Sequence, residues 1–217
     1  MVKAQTVTAI KSQEKRANRV SLFLDGKFTM GLSASVLEES GIRAGHYLSQ
    51  AQVDNLKIAD QCQRAKDRAL KYLSYRPRSE SEVRDRLRRY GYEDEIIATT
   101  LDRLRNAGYV DDASFAEFWK ENRSTFSSRS TRFLAQELKQ KGIDPEIINA
   151  AIDDIDNETE AYRAGYKKSR TLNTSDRYEF RKKLGAFLRR RGFDYNVIST
   201  VVEKLWNEKL CEDRNEL

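Results

Sequence analysis

Three glycines, Gly91, Gly142 and Gly192, recur at intervals of 51 and 50 residues, each inside a matching apolar frame. Leu87-Arg-Arg-Tyr-Gly-Tyr-Glu-Asp-Glu-Ile-Ile97 aligns with Leu138-Lys-Gln-Lys-Gly-Ile-Asp-Pro-Glu-Ile-Ile148, and both align with Leu188-Arg-Arg-Arg-Gly-Phe-Asp-Tyr-Asn-Val-Ile198. A period of roughly 20–50 residues marks an array whose units bury their faces against one another, an elongated or curved shape suited to extended binding surfaces.

Each glycine is followed by the same apolar stripe. The first copy has Ile96, Ile97, Thr100, Leu101 and Leu104. The second has Ile147, Ile148, Ala151, Ile152 and Ile155; the third has Val197, Ile198, Val201, Val202 and Leu205. Spacing of i, i+1, i+4, i+5, i+8 is one face of an amphipathic helix. Before each glycine a second helix shows pairs at i, i+4: Val83 and Leu87, Leu134 and Leu138, Leu184 and Leu188. The glycine ends that helix in the left-handed conformation, and the next apolar residue (Tyr92, Ile143 or Phe193) folds back over the last turn. A leading helix completes each unit, anchored by Leu70, Tyr72 and Leu73, then by Phe115, Phe118 and Trp119, then by Tyr162 and Tyr166. Ser79-x-x-Glu82 is a capping box placed just after Arg76-Pro77-Arg78 breaks the preceding helix.

The fold class expected is therefore mainly α, a tandem array of three three-helix repeats. Only 10 Gly and 2 Pro in 217 residues agree with long helices. The expected divisions are an N-terminal extension over 1–60, then repeats over 61–112, 113–157 and 158–217. In the extension, residues 6–10, 19–24 and 27–32 read as strands. Asp25-Gly26 between the last two is a hairpin signal, and a two-residue turn places Phe23 opposite Phe28. Lys11, Lys15, Arg16 and Arg19 make the first connection basic. A short helix over 34–39 ends at Gly41, and Ser49-x-x-Gln52 opens the next one. So few strands require packing on the helices behind them.

Charged residues reach 34%, against roughly 25% in an average domain, with a net charge of +6. The repeated middle helices hold much of it: Arg84, Arg86, Arg88 and Arg89 in the first, Arg129, Arg132, Lys139 and Lys141 in the second. Residues 181–191 contribute Arg181, Lys182, Lys183, Arg189, Arg190 and Arg191 with no acid. Charge recurring at related places makes a stripe matched to a polyanion or an acidic groove, although such runs also serve simply as solvated faces.

Leads to chemistry are few. His46 is the only histidine, which leaves no multi-histidine metal site and little for acid–base work; it reads as a partly buried turn residue. Gly41 and Gly45 lack the Lys-Ser/Thr of a phosphate loop. Asp153-Asp154-Ile155-Asp156 could suggest a divalent metal, but Ile155 belongs to the apolar stripe and the acids mark a helix end. Cys62 and Cys211 are far apart and suit a reduced cytoplasmic chain. No secretion signal or run of 18 apolar residues occurs. Neither enzyme nor cofactor is expected.

Ala69-Leu-Lys-Tyr-Leu-Ser-Tyr-Arg-Pro-Arg-Ser-Glu-Ser-Glu82, then Gly108-Tyr-Val-Asp-Asp-Ala-Ser-Phe115, then Gln136-Glu-Leu-Lys-Gln-Lys-Gly-Ile143 resemble the bacterial RecX family in order and spacing. The resemblance covers roughly residues 60–207. In the Gly-Tyr-Val-Asp-Asp element Gly108 stops one helix, and Asp111 or Asp112 caps the next. The link before the second unit's middle helix often holds a glycine in that family; here it is Ser127-Ser128. The N-terminal hairpin occurs in only part of the family. The resemblance implies a regulator of the RecA recombinase, binding the RecA–single-stranded DNA filament and modulating recombination, ATP hydrolysis and the SOS response, by capping filament ends or lying along the groove.

Two other readings stand beside it. One is a direct, sequence-nonspecific binder of single- or double-stranded nucleic acid using helix-turn-helix-like units; the other is a helical scaffold whose charges serve solubility alone. For contacts with filament or DNA the candidates are first Arg189, Arg190 and Arg191, then Arg84, Arg88, Arg129 and Arg132, with Lys182 beside them. The chain is expected to be a monomer without a membrane partner.

Overall fold

Asp25 and Gly26 take φ of 49° and 79°, the two positive angles a type I′ turn requires. The turn pairs β2 (Arg16–Leu24) with β3 (Lys27–Ser33) and sets Phe23 opposite Phe28. Their rings meet edge to face with centroids 5.9 Å apart. The computed structural model describes residues 4–14, 16–172 and 176–215, and these form two compact units, Met1–Val110 and Asp111–Leu217.

In the first unit β1 (Gln5–Gln13) and the two-residue β4 (Tyr47–Leu48) complete an antiparallel sheet of order β3-β2-β1-β4. β1 and β2 are longer than the runs 6–10 and 19–24, so Lys11 and Arg16 join Arg19 as strand residues and are not part of a basic connection. Lys15 lies outside the described residues. The charge of Arg19 is matched by a residue distant in sequence. Both of its Nη atoms donate to the Asp60 carboxylate at 3.1 Å, and Asp60 also accepts from the Ser33 amide and hydroxyl at 2.7 and 2.9 Å.

Asp60 stands on α2 (Gln50–Leu73), opened by the Ser49–Gln52 capping box. The start of α2 covers the sheet, where Val53 and Leu56 meet Val7, Leu22, Leu24 and Leu32; α1 (Ala34–Ser40), ended by Gly41 at φ 62°, adds Val36. Its second half buries Cys62, Ala65 and Ala69 against α3 (Glu80–Arg89) and α4 (Asp94–Asn106). Residues 60 and 61 are thus inside one continuous helix that the sheet and the first repeat share. His46 is exposed rather than partly buried; its carbonyl accepts from the Val7 amide at 2.8 Å.

The first two glycine junctions are Schellman caps. Gly91 (φ 80°) donates to Arg88, while Tyr92 donates back to Leu87; Gly142 (φ 77°) and Ile143 repeat this on Lys139 and Leu138. Leu87, Leu138 and Leu188 are fully buried, each contributing roughly 1.5–3 kcal/mol. The Ser79–Glu82 capping box is formed, and all five stripe residues of α4 are buried.

The second unit holds α5 (Asp112–Phe126), α6 (Thr131–Gln140) and α7 (Pro145–Ile152), then α8 (Asn157–Ser169), α9 (Arg177–Arg189) and α10 (Tyr195–Asn215). Together with the end of α2, α3 and α4 they make three tandem three-helix repeats. Ile155 is not on the helical stripe: α7 stops at Ile152 with Asp153 as its cap. Asp154 pairs with Lys120 at 3.2 Å, and Asp156 caps α8 by accepting from the Glu158 and Thr159 amides. Asp111 caps α5 through the Ala113 amide.

Repeats two and three touch closely. Ser130 donates its amide to the Arg191 carbonyl at 3.1 Å, and Asn157 and Thr131 exchange two hydrogen bonds. Gly192 (φ 89°) faces Phe133 and Ser130, where an added Cβ would come within 2.4 Å of the ring.

Candidate interface: the cations of the third repeat

α9 starts at Asp176, whose carboxylate accepts from the Tyr178 amide at 2.9 Å. It buries Phe180, Leu184 and Leu188 at successive i, i+4 positions, so its charges must face outward. Beside α10 this outward face borders a groove of about 530 Å³. Gly185 and Ala186, with no side chain beyond Cβ, line it without filling it. Arg181, Lys182, Arg189 and Arg190 line it, and among the described residues no acid does.

Two tyrosines stand in the same groove, Tyr178 and Tyr195, 69% and 66% exposed. Arg181 reaches the Tyr195 hydroxyl at 3.4 Å, and the Lys182 ammonium lies 6.0 Å from the Tyr178 ring centre. Sequence reasoning missed both rings. The signal was available in Arg177-Tyr178 and Asp194-Tyr195, aromatic residues off the apolar stripe and next to charge.

The candidate cations divide by what already neutralises them. Arg189 and Arg190 are exposed and make no ion pair among the described residues. They end α9, where cations complement the helix dipole by about 0.3–1 kcal/mol; that accounts for a basic last turn but not for its opening onto an acid-free groove. Lys182 is 4.0 Å from Glu179, and Arg181 is 3.7 Å from Glu203. Arg132 is exposed, 5.5 Å from the Phe133 ring, with no ion pair among the described residues.

The others are engaged. Arg84 pairs with Glu80 at 2.6 Å and Arg88 with Asp94 at 2.9 Å. Arg129 precedes α6 instead of lying on its face, and shares Glu137 with Arg123. Arg191 turns away from the groove: it donates to Ser127 Oγ at 2.9 Å and lies 4.4 Å from the Phe187 ring. Burial, and then the charges of Arg129 and Arg190, hold its pKa below the ordinary arginine value. Ser127 and Ser128 therefore seat the third repeat on the second.

Four cations flanking two exposed rings can bind phosphates along a strand and stack bases. Among the described residues no helix is long and apolar enough to cross a membrane, and no three His, Cys, Asp or Glu side chains are grouped to hold a metal ion.

Comparison with known proteins gives matches along nearly the whole chain. Residues 65–104, 111–152 and 156–202 match the models of the first, second and third three-helix domains of RecX, and residues 5–49 match the N-terminal domain of regulatory protein RecX. A regulatory protein RecX of Bacillus velezensis is 30% identical over 91% of this chain and 76% of its own. One from Clostridium perfringens is 26% identical over 95% and 99%. A crystal structure of a regulatory protein RecX superposes with a TM-score of 0.73 at 26% identity, covering 92% of this chain and 99% of that one. The crystal structure of RecX from Lactobacillus salivarius gives 0.59 at 26% identity, over 68% and 97%.

Proposed function

The chain belongs to the RecX family of regulatory proteins, and from that membership we propose that it is a non-enzymatic inhibitor of the RecA recombinase. It binds the RecA–single-stranded DNA filament in the cytoplasm, as a monomer, and so restrains recombination and the SOS response. The observation that carries the reading beyond the family name is the groove of the third repeat, where Arg189 and Arg190, beside two exposed tyrosines, meet no acid among the described residues. Those two arginines, with Lys182 and Arg181, contact the DNA of the filament. Arg132 is a secondary contact, whereas Arg84, Arg88 and Arg129 contribute less because an acid already sits on each.

The same groove favours a second reading, direct nonspecific binding to nucleic acid without RecA. Titrating the protein into the ATPase reaction of its cognate RecA on single-stranded DNA separates the two, with a DNA-only control. Suppression of hydrolysis is expected at protein concentrations too low to coat the DNA. Arg189→Glu/Arg190→Glu should raise the half-inhibitory concentration about tenfold or more, the scale of one to two lost charge contacts. Arg191 is left unaltered there because its reversal would break the seat on Ser127. Unaffected hydrolysis together with intact DNA binding would select the direct binder.

A further inference from the structure

The second unit is not basic throughout. Between α5 and α7 lies an open groove of about 750 Å³ whose charged lining residues are Glu117, Glu121 and Glu146, with no cation among the described residues. Phe118 and Ile147, both half-buried, supply its apolar walls, and Ala113, Ala150 and Ala151 leave its floor open. Glu121 and Glu146 make no ion pair among the described residues. Glu117 pairs with Lys120 at 2.6 Å, but Lys120 does not line the groove and also serves Asp154.

Little in the fold asks for this arrangement. Glu146 in the first turn of α7 complements that helix's dipole. Glu117 has Lys120 as its partner on the same helix, but Glu121 adds a like charge at i, i+4, which costs a helix about 0.2–0.5 kcal/mol. Both glutamates flank an apolar surface on a chain of net charge +6. The lining residues of α5 run from 113 to 121, two helical turns or about 12 Å at 1.5 Å per residue.

We infer that this groove is the docking site for an amphipathic helix of a protein partner whose apolar stripe is bordered by cations. Two basic residues one turn apart face Glu117 and Glu121, and a third across the stripe faces Glu146. Apolar side chains of the helix enter between Phe118 and Ile147, and the carboxylates set register and encounter rate more than raw affinity. The inference rests on the filament reading: the helix belongs to the recombinase, and the basic groove of the third repeat is left to the DNA.

The test uses the full chain with Glu117→Lys/Glu121→Lys/Glu146→Lys and, separately, Ala150→Trp, which blocks the groove without changing charge. Affinities are measured for the RecA–single-stranded DNA filament and for bare single-stranded DNA, with circular dichroism confirming native helix content. Both variants should bind the filament about tenfold or more weaker, the scale of several lost interface contacts, while bare-DNA affinity does not fall. The sign is diagnostic, because a more basic chain should bind a polyanion more tightly by nonspecific attraction alone. Glu117→Gln/Glu121→Gln/Glu146→Gln, which keeps the side-chain shape, should show the same direction of loss if the lysine variant fails to fold. Filament affinity unchanged or raised in the charge variants, or unchanged in Ala150→Trp, overturns the groove alone. An unaltered chain that binds bare DNA and ignores the filament overturns the filament reading, and this inference with it.

Discussion

Arg190 and Arg191 are adjacent in sequence and differ in surroundings: one opens onto an acid-free groove, the other is folded against Ser127 and the Phe187 ring. The glycine that follows them separates conformational need from spatial need. Gly91 and Gly192 both have positive φ, so alanine at either costs about 1–2 kcal/mol. At Gly91 the added Cβ meets nothing within 4 Å, whereas at Gly192 it meets the Phe133 ring and Ser130 Oγ inside 2.6 Å. Gly192→Ala should therefore lower the thermal midpoint clearly further than Gly91→Ala, the excess being the overlap cost of about 1–3 kcal/mol. Equal midpoints would show that the contact between repeats two and three relaxes freely. The cations themselves were legible in sequence because the repeat places them in register. Which were free was not, since counterions arrive from other elements: Glu137 to Arg129, Glu203 to Arg181, Asp60 to Arg19. Tyr178 and Tyr195 escaped because aromatic residues off a stripe carry no period.

Elements were legible where local chemistry decides them. The Asp25-Gly26 turn, the two capping boxes and the glycine stops all depend on a few adjacent residues, and each forms as the sequence implies. β4 is two residues long, too short for any alternation, and exists through its pairing with Gln5 and Thr6. α7 ends before Ile155 because Asp153 and Asp154 place negative charge at a helix C-terminus, where the dipole disfavours it. Asp111 and Asp156, in contrast, are carboxylates at helix N-termini. The Ser114 hydroxyl, and at the second cap the Thr159 hydroxyl, donate to them and lower their pKa values below the ordinary 3.8, with the backbone amides adding to it. A lowered folded value means the stabilisation is fully present above the unfolded pKa and is lost as pH falls through the folded one. Asp111→Asn/Asp156→Asn keeps an acceptor at each cap but removes the titration. It should melt below the unaltered chain at neutral pH and converge with it as acidification carries the pH through the lowered folded-state values. Thermal midpoints that stay apart by the same interval at every pH would show that these charges do not stabilise α5 and α8.

At the scale of the whole molecule, a net charge of +6 draws the chain toward any polyanion, but attraction and contact leave different marks. Attraction sets encounter rates. Contact releases counterions, and each neutralised phosphate of a single strand contributes about −0.7 to the slope of log affinity against log salt. Two variants isolate contact from charge. Arg189→Gln/Arg190→Gln and Arg84→Gln/Arg88→Gln remove the same formal charge, but the first two arginines have no ion pair among the described residues, whereas Glu80 and Asp94 already pair with the second two. On single-stranded DNA the first should reduce the slope by about 1.4, two phosphates' worth, and the second by less than about half of that. Because net charge is matched, any difference between the two reports where the strand lies. Equal reductions would mean that the strand reads total charge and has no seat in the third repeat, and the assignment of that groove to DNA would fall.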